Sequence, residues 1–158
     1  ATASGSEQPK YKSQRSMLSA QKNDVKVDEL NALFAKCGKP MRDREKLKRA
    51  LEGSFCVVSA RLVSTGALVA FARACSDEAL NATIWDLMTD PALPDEMLMR
   101  SNVLKYLLRE LRREIPGCSV ALFSTDAKIP FYERLDFVVD PDGIKGMVLD
   151  IEGWDTVS

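Results

Sequence analysis

A single α/β domain is predicted for this chain by two observations: helical and strand-like apolar periodicities alternate along it, and its length suits one hydrophobic core. The 158 residues carry 46% hydrophobic side chains, enough for one ordinary core and too few for two comfortable domains. Lys and Arg number 22 against 23 Asp and Glu, so a net charge of −1 sets up no global field for nucleic acid or an anionic membrane. No nucleic-acid partner is expected. No apolar run approaches the roughly 20 residues of a membrane-spanning helix, so no membrane span is expected either.

The elements follow in order. Residues 1–6 are small, polar and lack methionine, reading as a stub left by processing or as an engineered boundary. Lys10, Lys12, Arg15 and Lys22 then occur without an intervening acid. Residues 1–26 are therefore expected to form a basic, disordered tail that a partner orders, with the folded domain over residues 27–158. Leu30, Leu33, Phe34 and Cys37 fall on one helical face over residues 28–37, and Gly38 with Pro40 stops that helix. A second helix starts at Asp43 as N-cap, buries Leu47 and Leu51, and ends at Gly53.

The pattern then changes to strands. Residues 54–63 and 67–74 flank the turn Ser64-Thr65-Gly66, and residues 82–89 form a third strand ending at Asp90-Pro91. The longest helix carries Val103, Leu104, Leu107, Leu108 and Leu111 inward and Arg100, Lys105, Arg109, Arg112 and Arg113 toward water, until Pro116-Gly117 ends it. Residues 118–123 read as a buried strand and residues 129–135 as a short helix. Residues 137–139 and 147–149 read as a closing hairpin around Asp140-Pro141-Asp142-Gly143.

Composition narrows the chemistry. The chain has no histidine, which removes Ser-His-Asp, Cys-His and histidine acid/base schemes. Cys37, Cys56, Cys75 and Cys118 lie far apart without a CxxC pair. They indicate no metal site and read as small buried apolar positions of a reducing compartment.

The element order, together with Ala70-Phe71-Ala72-Arg73-Ala74, Asn81-Ala82-Thr83-Ile84-Trp85-Asp86, Phe131-Tyr132-Glu133-Arg134-Leu135 and Asp140-Pro141-Asp142-Gly143-Ile144-Lys145-Gly146-Met147, resembles the GNAT N-acetyltransferase superfamily. The likeness is to its plastid-type plant and green-algal members. It implies the GNAT fold, a central, mostly antiparallel mixed sheet flanked by helices, and a chloroplast (stromal) location. It also implies acetyl-CoA as cofactor, with the pantetheine arm along Leu87, Met88 and Thr89. The pyrophosphate would lie on a glycine-rich loop at the start of the long helix, where glycine lets phosphate approach the main chain.

This chain departs from that pattern. It reads Pro94-Asp95-Glu96-Met97-Leu98-Met99 without a glycine, so the pyrophosphate contacts carried over to Leu98, Met99 and Arg100 form a degenerate set. Proline withholds a donor, and Asp95 and Glu96 would repel phosphate. The same two acids suit the first turn of a helix as caps that oppose its macrodipole.

The resemblance implies that Tyr132 protonates the departing thiolate. The acid that takes a proton from the amine falls on Thr125, with Asp126 displaced by one residue, placed either to substitute for it or to cap the helix that follows. Asp136 stands where the family writes glycine, which is read as relaxed constraint around the acyl site.

Two functions are in view. In the first, the protein is a GNAT-like chloroplast protein with a degraded acetyl-CoA site, a non-catalytic or weakly active partner or structural subunit of a plastid complex, held through the basic tail and needing no cofactor. In the second, it is an active acetyl-CoA-dependent N-acetyltransferase on protein lysine, N-terminal or small arylalkylamine acceptors.

Overall fold

The computed structural model describes residues 14–149, which divide into two compact units, one running to Leu122 and one starting at Phe123. In the first unit the described residues form a five-stranded sheet in the order β1-β2-β3-β4-β5. Its elements are β1 (Ser16–Ser19), α1 (Val27–Lys36), α2 (Arg44–Gly53), β2 (Cys56–Leu62), β3 (Leu68–Ser76), β4 (Asn81–Thr89), α3 (Glu96–Glu114) and β5 (Ser119–Leu122). Neighbours pair antiparallel from β1 to β4, and β5 runs parallel to β4. This is the mixed, mostly antiparallel sheet expected.

The two sheet faces differ in side-chain size. Strand alternation sends Val57, Phe71 and Met88 to one face, where they form a core with Leu30, Leu33 and Phe34 of α1 and Leu47 and Leu51 of α2. The intervening Ala70, Ala72 and Ala74 are fully buried, and their small side chains let α3 lie close over β2, β3 and β4. On α3 the inward stripe is Val103, Leu104, Leu107 and Leu111, each 0% exposed. Each such leucine contributes on the order of 1.5–3 kcal/mol by leaving water. Buried Asn31 is satisfied by the strand of chain before α2, donating to Arg42 O at 2.9 Å and accepting from Arg42 N at 2.8 Å.

One residue too many in β4 shapes the site. Phe71 faces Met88 and Arg73 faces Trp85, so three steps along β4 oppose two along β3. The bulge is accommodated by Asp86 at φ 56°. Pairing with β5 ends at Ile84–Leu122, and residues 85–89 of β4 continue past it.

Several expectations are corrected. The tail expected over residues 1–26 is in part ordered: β1 pairs with β2 from Ser16–Leu62 to Ser19–Ser59, and Lys22–Asp24 is a 3-10 turn. The short Ser16-Met17-Leu18-Ser19 segment has no alternation of its own and becomes a strand by pairing with the edge of β2. Residues 1–13 and 150–158 lie outside the described residues. β5 is not a buried strand, because it ends the sheet order and its Ser119 and Ala121 are exposed.

The second unit holds α4 (Ile129–Glu133) and short turns. The closing hairpin is absent among its described residues. Asp140, Asp142 and Gly143 all take positive φ around Pro141, and the resulting 3-10 turn does not set the flanking chains in register.

Candidate active site

The end of β4 and the first turn of α3 collect a set of polar groups. Thr89 is the last residue of β4 and is 1% exposed. Its hydroxyl donates to Glu96 Oε1 at 2.8 Å. Arg100, one helical turn beyond Glu96, donates from Nη2 to the same carboxylate oxygen at 2.7 Å and to Thr89 Oγ1 at 3.1 Å. The side chains of Arg100 and Glu96 are 14% and 31% exposed. Arg100 Nε is buried and has no hydrogen-bond partner among the described residues.

A second group surrounds the backbone beside it. The Asp90 side chain, 2% exposed, pairs with Lys36 Nζ at 2.9 Å and accepts from Ala92 N at 2.9 Å. The Cys37 thiol donates to the Thr89 carbonyl at 3.2 Å. Burial, and then the charge of Asp90, push this thiol up from its ordinary range and keep it a neutral donor. Cys56 is pushed up to about 11, chiefly by burial; it too is a neutral thiol at physiological pH. All four cysteines are free.

Two expectations about α3 are overturned. Arg100 does not face water, because Glu96 and Thr89 hold it against the end of β4. Nor do the acids cap the helix: Asp95 occupies the N-cap position without a side-chain cap hydrogen bond. Glu96 turns to Arg100, whose charged donor binds a carboxylate more strongly than a neutral N–H does.

Of the other residues assigned to coenzyme contact, Leu87 and Met88 are buried, Met88 within the core under α1. Leu98 is exposed and Met99 half-buried. The pairing of Lys36 with Asp90 and of Cys37 with the Thr89 carbonyl carried no signal in the sequence. Asp90 lies 54 residues beyond Lys36, and only folding joins them.

A further polar pair marks the bulge. Arg73 Nε donates to Asp86 Oδ2 at 2.7 Å, with Arg73 Nη1 also 3.4 Å from Ser54 Oγ.

The catalytic candidates Tyr132, Asp126 and Thr125 belong to the second unit. Thr125 and Asp126 are exposed, and the Thr125 carbonyl accepts from Ser124 Oγ and Lys128 N, each at 2.9 Å. Asp126 opens a 3-10 turn, and Lys128 rather than Asp126 stands at the N-cap of α4. Tyr132 is 9% exposed and meets the rings of Phe131 and Phe137 edge-on, at 5.1 and 5.9 Å between centroids. Asp136 follows at φ 66°. This is the left-handed region that glycine adopts without strain and that aspartate tolerates.

No family model matches the chain. Individual proteins do. It is 40% identical over 125 residues to GCN5-related N-acetyltransferase 1, chloroplastic, of Arabidopsis thaliana, covering 78% of this chain and 62% of that protein. Serotonin N-acetyltransferase 2, chloroplastic, of Oryza sativa is 40% identical over 124 residues, with 77% of this chain and 60% of that protein covered. The chain thus spans less than two thirds of these plant relatives. An uncharacterized N-acetyltransferase of Porphyra purpurea is 39% identical over 133 residues, covering 82% of this chain and 74% of that protein. A GNAT-family acetyltransferase structure from Streptococcus pneumoniae shares the fold, with a TM-score of 0.71 at 21% identity over 87% of this chain and 98% of that one.

Proposed function

The chain belongs to the GNAT N-acetyltransferase family, and we propose that within it this protein has lost tight acetyl-CoA binding and serves as a non-catalytic or weakly active partner subunit in the chloroplast stroma. GNAT acetyltransferases use acetyl-CoA, so the question is whether the residues at the start of α3 suit its pyrophosphate. They do not. The observation that carries this reading is the closed Thr89–Glu96–Arg100 network. It gives Arg100 to an internal carboxylate, beside a loop without glycine. A phosphate drawn to Arg100 would meet Glu96 at close range. Two unit charges 4 Å apart repel by about 4 kcal/mol at an effective dielectric near 20.

The Thr89 carbonyl adds to this. It already accepts from the Cys37 thiol, so one of its two lone pairs, in the stretch assigned to the pantetheine arm, is engaged. The chloroplast assignment draws on relatives named chloroplastic, and the partner role on the basic segment that begins at Lys10.

Calorimetric titration with acetyl-CoA at physiological salt tests the coenzyme claim. No heat up to high micromolar ligand is expected, and binding in the low micromolar range overturns the reading. Removal of residues 1–13 from the bait, which spares β1, should weaken recovery of a stromal partner. Undiminished recovery removes the tail from the proposal.

A second reading, an active N-acetyltransferase on protein lysine, N-terminal or arylalkylamine acceptors, is favoured by one feature. The β4 bulge and the run of residues 85–89 past the end of β5 leave Leu87, Met88 and Thr89 unpaired on the β5 side among the described residues, the stretch that the family resemblance assigns to the pantetheine arm. Acetyl-CoA turnover with such an amine decides for it.

A further inference from the structure

We infer that Glu96 is the residue that excludes pyrophosphate from the start of α3, by acting as an internal anion for Arg100. The inference rests on the proposed loss of coenzyme binding and deepens it by assigning that loss to one side chain. Three observations converge. Glu96 Oε1 is shared by both neighbours, accepting from the Thr89 hydroxyl at 2.8 Å and from Arg100 Nη2 at 2.7 Å. The Arg100 guanidinium is nearly enclosed, yet its Nε–H is buried without a partner among the described residues. Asp95, the other acid of the loop, is exposed and makes no side-chain cap hydrogen bond.

The charge of Arg100 is therefore cancelled from within, while its buried Nε–H is left unused. An external phosphate that took Nη2 from Glu96 would leave that carboxylate without its cation beside a dianion, and one that met the free Nε–H would still face the Glu96 charge on the same guanidinium. Without the Glu96 charge, the same guanidinium would be an anion site walled by Thr89 and the first turn of α3. Asp95, more exposed to solvent, is screened and has less weight in the exclusion.

Glu96→Gln isolates the charge, because the amide oxygen can still accept from Thr89 and Arg100. The full chain and its Glu96→Gln variant are titrated with acetyl-CoA and with S-acetylpantetheine, which lacks the pyrophosphate. The expected result is affinity for acetyl-CoA raised at least about tenfold, with S-acetylpantetheine unchanged and the gain abolished in Glu96→Gln/Arg100→Gln.

No gain, an equal gain for both ligands, or a gain that survives in the double variant overturns the inference. Should thermal melting show the Gln variant unfolded, Glu96→Ala takes the same titrations and is read the same way. Tight binding by the unsubstituted chain sinks the proposed function separately. The role of Glu96 is then read only from whether its replacement tightens pyrophosphate binding further.

Discussion

Helices α2 and α3 begin with the same signal and start differently. Each has an aspartate at its N-cap, Asp43 for α2 and Asp95 for α3, followed by acid in the first turn. Asp43 Oδ1 accepts from Lys46 N at 2.9 Å, the ordinary cap. Asp95 caps nothing, and Glu96 reaches Arg100 and Thr89 instead. A helix whose first turn sits against a strand end has a competitor for its acids.

If α3 depends on its apolar stripe rather than on its start, Leu107→Ala should be the most damaging single change. Leu107 is 0% exposed, and truncation to alanine should remove about 2–5 kcal/mol of stability in urea unfolding. A smaller loss would mean that α3 is held mainly by the polar network at its first turn.

Arg100→Ala should come next, at about 1–2 kcal/mol, since it strips two hydrogen bonds and leaves Glu96 without its cation. The partial exposure of Glu96 keeps the value below that of a fully buried pair. An effect near zero would show that the network is not formed in solution.

The two N-caps then separate. Asp43→Ala should destabilise by about 1 kcal/mol, whereas Asp95→Ala should stay within about 0.5 kcal/mol. Equal losses would erase the contrast between the helices. At the end of α4, Asp136→Gly should stabilise by up to about 1 kcal/mol by relieving a left-handed non-glycine residue at φ 66°.

The start of α1 supplies the pH test, and the smallest effect. Lys26 N donates to Glu29 Oε1 at 2.8 Å, and Arg61 Nη1 to Glu29 Oε2 at 2.9 Å. Burial pushes the Glu29 carboxyl up, but the hydrogen bonds from Arg61 and Lys26 and their charges outweigh it and hold it below its ordinary 4.5. A folded-state value below the unfolded one adds stability that is fully present above pH 4.5. That stability is lost as pH falls through the lower, folded-state value. Arg61→Gln should therefore weaken the chain less at pH 3 than at pH 7 in melting experiments. The same loss at both would show that Glu29 is not the titrating group.

Much of the fold was legible in the amino-acid order. The α3 stripe, the Asp43 cap and the three central strands rest on local periodicity and turn chemistry, which neighbouring residues set by themselves. Gly-free residues 94–99 were visible in the same way. The strand Ser16–Ser19 and the missing hairpin were not legible. A short strand beside basic residues looks like tail until β2 offers its edge, and apolar alternation around Pro141 looks like a hairpin until three positive φ angles turn the chain. The site was the least legible part. Thr89, Glu96 and Arg100 were each named from the sequence, but which acid meets which base depends on distances that only packing sets. Lys36 and Cys37 reach Asp90 and Thr89 across more than 50 residues of chain. The sequence alone determined that the start of α3 lacks glycine and carries acid; tertiary structure decided that one of those acids binds Arg100, because the end of β4 brings the Thr89 hydroxyl to the same carboxylate oxygen and a charged donor holds it more strongly than a neutral N–H does.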